Sequence, residues 1–482
     1  MGLRFVGIGA FVTAGAVLSA CAPSVQLQRP DLAVPAAFAG GATAAASLQE
    51  FPLDRWWSAF ADPQLNDLVE TALARSTTAR LAASRLAEAR ATRSVTRAGT
   101  LPSGNLATTA TETGTRRLWG HGVNAGGADT LQATFYPSWE VDLFGRLAAT
   151  REQADVEYAS SSLDFHAARL ALAADVASSL FDARSAAIDL ATARERLEIA
   201  ERLAQSARIG LGRGLTSGQD ADRLESDLAS ARAEVPRLEA ELQAAKRSLL
   251  ILTGTPDAAT DSLTIEASLA APPVLPAATP GILLARRPDV LAAGLAVQSA
   301  ALGVRIDRLA LFPRFTIDPG IGLTAATGGA GGGTGLWSLA AGLAVPLLDR
   351  TRLMAQLRVT EARGNSAVVS YEQTVQNAFG ETENALVRLA ANRQRMGDLE
   401  TAERRSRSAY DSAARGYRNG LTDLTTLLQS EQTWLAARAA RDAGRLALLT
   451  GTVAAVRAMG GGWEPVADMP AEARIIEAQG AQ

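Results

Sequence analysis

The chain has 482 residues and a formal net charge of −3, from 47 basic and 50 acidic side chains. So even a balance provides no basic surface for nucleic acid, and the length calls for more than one structural region. Cys21 is the only cysteine, which excludes an intramolecular disulfide, and Lys246 is the only lysine, so the basic charge is almost all arginine.

The N-terminus reads as a secretory signal. Arg4 is a short basic segment and Phe5–Leu18 is apolar, too short to span a bilayer as a stable helix. Leu18-Ser19-Ala20-Cys21 resembles the lipobox of bacterial lipoproteins. The resemblance implies cleavage after residue 20, a covalent lipid on Cys21 and sorting to the outer membrane, since position 22 is Ala rather than Asp. Several acyl chains on one residue hold firmly, at about 0.8 kcal/mol per buried methylene. Residues 21–62, rich in Ala, Pro and Gly at first, read as a lipidated tether.

A first structural repeat is expected over 63–252. Asp62 caps and Pro63 opens a helix over Gln64–Ala98, with Leu65, Leu68, Val69, Ala72 and Leu73 on one stripe. A β-hairpin of about 104–144 follows. Its second strand is the clearer one: Leu131, Ala133, Phe135, Trp139, Val141 and Leu143 alternate with Gln132, Thr134, Tyr136, Ser138, Glu140 and Asp142. Residues 147–209 contain no Gly or Pro and predict a helix over 147–211, roughly 100 Å long at about 1.5 Å per residue. No compact domain encloses such a rod. Glycines at 210, 212, 214 and 218 predict a tip turn over 210–219, and a returning helix, bent at Pro236, runs to Leu252.

After a linker over 253–280, the plan recurs over 281–463: a helix, a β-hairpin of about 313–347, a long helix over 349–415, a tip turn over 416–423 and a returning helix. Residues 464–482 form a tail. Gly210–Thr216 matches Gly416–Thr422 at an offset of 206, and Val141–Arg146 matches Val345–Arg350 at 204. The chain is one unit duplicated.

Each half offers two strands with one oily face, of a length that crosses an outer membrane at a tilt. Four strands cannot close a barrel, and an open edge in lipid leaves backbone groups unpaired. Copies must pool strands, and eight, twelve or sixteen are all open on these grounds. A soluble sandwich, with the alternation facing a protein core, is the competing expectation.

Several stretches together resemble outer membrane efflux proteins of the TolC/OprM type, in their lipoprotein branch. They are Ser138–Arg146, Val235–Leu242, Arg286-Arg287-Pro288-Asp289-Val290, Phe312-Pro313, Gly416–Thr422 and Met459–Trp463. The resemblance implies a fold class of mixed α and transmembrane β. Long helices would form a periplasmic α-barrel, and four strands per chain would enter a trimeric twelve-stranded β-barrel in the outer membrane. It further implies a homotrimer that docks a periplasmic adaptor (membrane fusion protein) and an inner-membrane pump, usually of the resistance-nodulation-division class. The chain would then be a passive exit duct for small molecules. A type I secretion duct for polypeptides and a periplasmic adaptor are the alternatives. An adaptor has one hairpin inserted in β-rich domains, not two hairpins with two strand pairs.

The resemblance also makes the Gly-rich turns a periplasmic tip that closes at rest, with Gly214, Gly420 and Arg418 in it. Tyr417 and Asp220 occupy the positions of a tyrosine–aspartate lock, against which stand a surface tyrosine and a helix-capping aspartate. Thr426 and Gln429 stand where relatives often carry carboxylates lining the constriction. Asp423 is a substitute acid or another cap. Arg208, Arg213 and Arg415 are further tip cations or solvated helix ends. Trp337 is the candidate membrane-interface anchor; Trp56, Trp57 and Trp463 are anchors or plain packing. His121 and His166 lack partners at metal-ligand spacing, and no nucleotide loop or nucleophile elbow occurs, so neither cofactor, metal nor enzymatic activity is expected.

Overall fold

The computed structural model describes residues 54–114, 119–120, 128–275, 286–327 and 332–461. Cys21, His121 and Trp463 lie outside the described residues, as do the signal segment, most of the tether and the tail.

A short 3-10 turn, Trp56–Phe60, leads into α1 (Pro63–Arg75) and α2 (Thr77–Ala98). Strands β1 (Ser103–Thr113) and β2 (Ala128–Val141) follow, then α3 (Arg146–Gly212) and α4 (Gly218–Leu252). The second repeat gives α5 (Pro288–Leu309), β3 (Arg314–Thr327), β4 (Gly332–Ala344), α6 (Arg350–Arg418) and α7 (Leu424–Ala458). α3 and α6 run 67 and 69 residues without interruption.

Three boundaries differ from the sequence expectation. The first helix breaks at Ser76, whose extended backbone ends α1 through its N–H and starts α2 through its hydroxyl, 3.0 Å from the Ala79 amide. Gly254 packs against the break. Its left-handed backbone approaches so closely that a Cβ there would lie 2.7 Å from the Arg75 carbonyl oxygen. The tip turns also start later than expected, because Gly210, Gly212 and Gly416 are still helical. Gly210 and Gly416 answer a steric need instead: a Cβ at either would stand 2.2 Å from the hydroxyl of Thr216 or Thr422. As expected, α4 carries Pro236 within one helix. β4 begins at Gly332, so Gly332, Gly333 and Gly335, which a glycine-rich stretch would suggest as hairpin loop, pair with β3.

The chain forms two compact units, each drawing on both repeats. One holds Ala87–Ser161 and Ala293–Glu372, with the sheet and the helix ends that flank it. The sheet is antiparallel in the order β1-β2-β3-β4, with β1 and β4 each paired on one side only. Its helices are tied by charge. Asp155 on α3 accepts from Arg93 and Arg97 on α2, Arg305 reaches Glu152, and Arg308 reaches Glu361. Burial acts to raise the Asp155 pKa, but the two arginines outweigh it and hold the carboxyl below its usual range. α5 is long and apolar enough to cross a membrane by composition. Much of that apolarity is spent on packing, since Leu295, Val297, Leu302 and Val304 are buried.

The other unit holds Ser162–Ala292, the described part of Leu32–Leu86, and the chain from Gln373. Trp56 packs edge-on against Trp57 and Phe60, and Phe60 lies 5.6 Å from Phe181 on α3. These tryptophans are core, not membrane anchors. Asp62 caps α1 through the Leu65 amide and also meets the buried Arg184 of α3. Arg287 gathers three elements: it bonds Asp289 and Glu381 and donates to the Ala458 carbonyl at the end of α7. Gly460, left-handed at φ +68°, brings the chain end against the backbone of Arg286 and Arg287. The Arg-Arg-Pro-Asp stretch and the terminal glycines, far apart in sequence, are thus one joint.

Candidate functional site

The sheet register decides what each strand face can touch. Leu106, Phe135, Ile321 and Trp337 stand directly opposite one another in sequence along one row. The same face carries Leu131, Trp139, Val141, Phe315, Ile317, Leu323, Leu339 and Leu343. Most of these are open to the surroundings: Ile321 is 65%, Leu339 69% and Trp337 80% exposed. An apolar face this continuous is not a water-facing surface; it needs lipid or protein. The opposite face is polar, with Asn105, Thr109, Gln132, Ser138, Glu140, Thr316, Asp318, Thr324 and Ser338. A soluble sandwich would bury the apolar face against a second sheet, and this sheet is the only one among the described residues.

Trp337 is on the apolar face, yet it sits in mid-strand, level with Ile321, rather than at a rim. Trp139, two residues from the end of β2, is nearer the level where an interfacial ring belongs.

Pro137 and Pro319 interrupt the ladder between the two middle strands. Each lacks an amide hydrogen, and they fall at the same level, so β2 and β3 pair at Phe135↔Ile321 and resume at Trp139↔Ile317. A side chain bridges the gap: the Ser138 hydroxyl donates to Asp318 at 2.6 Å, and Thr316 donates to the other oxygen at 3.0 Å.

The stretch Ser138–Arg146 is the joint from strand to helix, and most of its members have a task. Glu140 takes two bonds from Arg146, at 2.7 and 2.8 Å. Asp142 accepts from the Ala148 amide and so holds the first turn of α3. Phe144 lies 5.1 Å from Phe312, and Gly145 turns the chain at φ +84°.

At the tip, α3 and α6 end in the same Schellman motif. Leu215 N–H bonds the Gly210 carbonyl and Gly214 N–H bonds that of Leu211; Leu421, Gly416, Gly420 and Tyr417 repeat the pattern. Gly214 and Gly420 are left-handed at φ +72° and +71°, which a side chain would strain. Leu215 and Leu421 are left 79% and 83% exposed at the two apices.

Ser217 caps α4: its hydroxyl accepts from the Asp220 amide and donates to the Asp220 carboxylate at 2.7 Å. Asp423 caps α7, accepting from the Thr426 amide and hydroxyl, and these bonds hold its pKa low. Thr426 is thereby committed to the cap. Tyr417 packs beside the cluster of Ala221, Leu224, Leu424 and Leu428. Among the described residues no hydrogen bond joins Tyr417 to Asp220. Arg418 bonds the Ala414 carbonyl within its own helix, and Arg415 bonds Ser412. Arg208 pairs with Glu225 across the first hairpin.

One residue went unread in the sequence. Glu431 sits on the apolar stripe of α7, between Leu427, Leu428 and Trp434, and is buried. Burial raises its pKa, Asp227 of α4 raises it further, and Arg196 of α3 only partly offsets this, to give about 7. An acid at an apolar helix spacing was the available signal. Nearby, Trp434 stacks on Tyr410 at 5.0 Å, donates to Glu403, and lies beneath the guanidinium groups of Arg407 and Arg438.

A sheet with one lipid-type face and two open edges, joined to helices of this length, defines the subunit of an outer membrane channel. The profile of the family described as Outer membrane efflux protein matches residues 68–255 and 279–461, and the chain belongs to that family. It is 29% identical over 434 residues to the pyoverdine export outer membrane protein OpmQ of Pseudomonas putida, spanning 88% of this chain and 91% of that protein. It is 27% identical over 470 residues to the cation efflux system protein CusC of Escherichia coli, spanning 93% and 97%. The solved structure of the outer-membrane channel OprN superposes with a TM-score of 0.81 at 29% identity, covering 92% of this chain and all of that one. The chain is therefore an outer membrane channel protein with the TolC-type mixture of long helices and barrel strands.

Proposed function

We propose that three copies of this chain form a passive exit duct for small molecules across the outer membrane. Their sheets pool into one twelve-stranded β-barrel and their long hairpins into a twelve-helix periplasmic conduit. The observation that carries this reading is the four-stranded sheet with an apolar face and unpaired β1 and β4 edges. In hydrocarbon those edges must find partners, and a β1 edge meets a β4 edge when copies are arranged in a ring. A resistance-nodulation-division pump and a periplasmic adaptor supply the cargo and the energy. The cargoes in the names of the two relatives, pyoverdine and cations, differ, so what this chain shares with them is the route rather than the substrate.

The paired Schellman tips form the closing end, with Tyr417 and Asp220 as its lock in the assembled ring, and a lipid on Cys21 anchors the N-terminus. Paired cysteines on β1 and β4, at Thr109 and Ala340 and at neighbouring positions, test the assembly in a Cys21-lipidated background. Oxidation should yield covalent species up to three chains on a denaturing gel. Monomers only, at every pair of positions, would remove the pooled barrel. Loss of palmitate labelling in Cys21→Ser, with labelling intact in the parent, tests the anchor.

A further inference from the structure

A groove of about 700 Å³ opens in the helical unit, between α3, α6 and α7. That is the size of a site for a drug-sized molecule. Its floor is made of small residues, Ala447 and Gly451 on α7 among them, which leaves room rather than filling it. Its walls are charged in an unusual way. Arg388 on α6 and Arg457 on α7 both border the groove, both are exposed, and neither has an ion-pair or hydrogen-bond partner among the described residues. Asn384 is in the same position, one helical turn before Arg388. The other guanidinium groups described above are committed: Arg184 to Asp62, Arg287 to Asp289 and Glu381. Glu381 also lines the groove, but Arg287 occupies it at 2.8 Å. Asp175 on α3 is the unpaired acid, exposed while its neighbours Val176 and Ala177 are buried.

We propose that this groove is a transient binding station in the helical unit for amphoteric small molecules, taking a carboxylate at Arg388 and Arg457 and an amine at Asp175. The planar fork of a guanidinium matches a carboxylate in geometry as well as charge, and Asn384 adds an amide donor beside it. Two free cations against one free anion make the carboxylate the obligatory end of the ligand and the amine the secondary one. The proposal rests on the duct reading, which brings small molecules past the helical unit; in a trimer the groove recurs three times, once in each subunit.

The test uses the full-length, detergent-purified oligomer and 4-(aminomethyl)benzoate as probe, followed by isothermal titration. Two analogues separate the ends: 4-(aminomethyl)benzamide lacks the anion and 4-methylbenzoate lacks the amine. The acid should bind, the amide at least tenfold more weakly, and 4-methylbenzoate in between. Arg388→Ala with Arg457→Ala should weaken the acid tenfold or more and leave the amide unchanged, while Asp175→Asn should weaken only the two amine-bearing probes. Equal binding of acid and amide, no binding of the acid, or acid binding indifferent to the arginine pair would overturn the proposal. Single-channel conductance of the same preparations in planar bilayers reports on the duct separately. Conducting channels with no probe binding remove the station and leave the duct; a preparation that forms no channels removes the duct.

Discussion

Leu339 and Ala340 are consecutive on the edge strand β4, both exposed, and they point to opposite faces of the sheet. Leu339 stands opposite Pro319 in the middle of the apolar face; Ala340 stands opposite Asp318 on the polar one. Arginine at Leu339 would place a guanidinium near the bilayer midplane, at a cost of about 2–4 kcal/mol. Arginine at Ala340 would project into water across from a carboxylate and should fall within about 0.5 kcal/mol of the parent. The expected ratio of folded to unfolded populations therefore drops by about 30- to 700-fold for Leu339→Arg and changes little for Ala340→Arg. Urea titration in phospholipid vesicles, followed by tryptophan fluorescence, measures both. Equal costs, or a greater cost at Ala340, would show that the two faces have been assigned the wrong way round, and the lipid argument would go with them.

Three further outcomes are expected. Glu431 has a pKa of about 7 in the fold, above the ordinary 4.5, so its contribution to stability is complete below about 4.5 and is lost as pH rises through 7. Glu431→Gln should flatten that loss, gaining on the order of 3 kcal/mol over the parent above pH 7 and nothing at pH 4, by denaturant titration across that range. Gly214→Ala and Gly420→Ala should each cost about 1–2 kcal/mol through their left-handed backbone, with faster amide exchange confined to the tips, whereas Gly218→Ala, in open space at ordinary φ, should be nearly neutral. Asp62→Ala strands the buried Arg184 and removes the α1 cap, so thermal unfolding should report a loss of about 3–5 kcal/mol, smaller if Arg184→Met is added.

The duplicated strand-to-helix plan was legible because it rests on local periodicity: period two through Leu131–Leu143, and a run from 147 to 209 without Gly or Pro. The register that joins β2 to β3 was not, because it pairs residues nearly two hundred positions apart and no local signal encodes it. The break at Ser76 escaped for a similar reason, since the segment packed against it, at Gly254, lies in another part of the chain. The tip glycines misled because glycine serves two ends. Gly214 permits a left-handed turn, whereas Gly210 makes space for a threonine six residues on, and sequence shows the same letter for both. Asp423 and Asp220 read equally well as caps and as gate residues; the structure shows both engaged at helix starts.

The gap at Pro137 and Pro319 has a mechanical consequence. A closed barrel requires its sheet to bend, and a fully bonded ladder resists bending across the strands. Here the two central strands lose their pairing over three successive residue pairs and keep a side-chain tie, Ser138 to Asp318, in its place. The crease lies on the seam between the two repeats, where one hairpin ancestor met its copy. A closing barrel can therefore bend along a line set by two prolines, between two hairpins whose own ladders run unbroken.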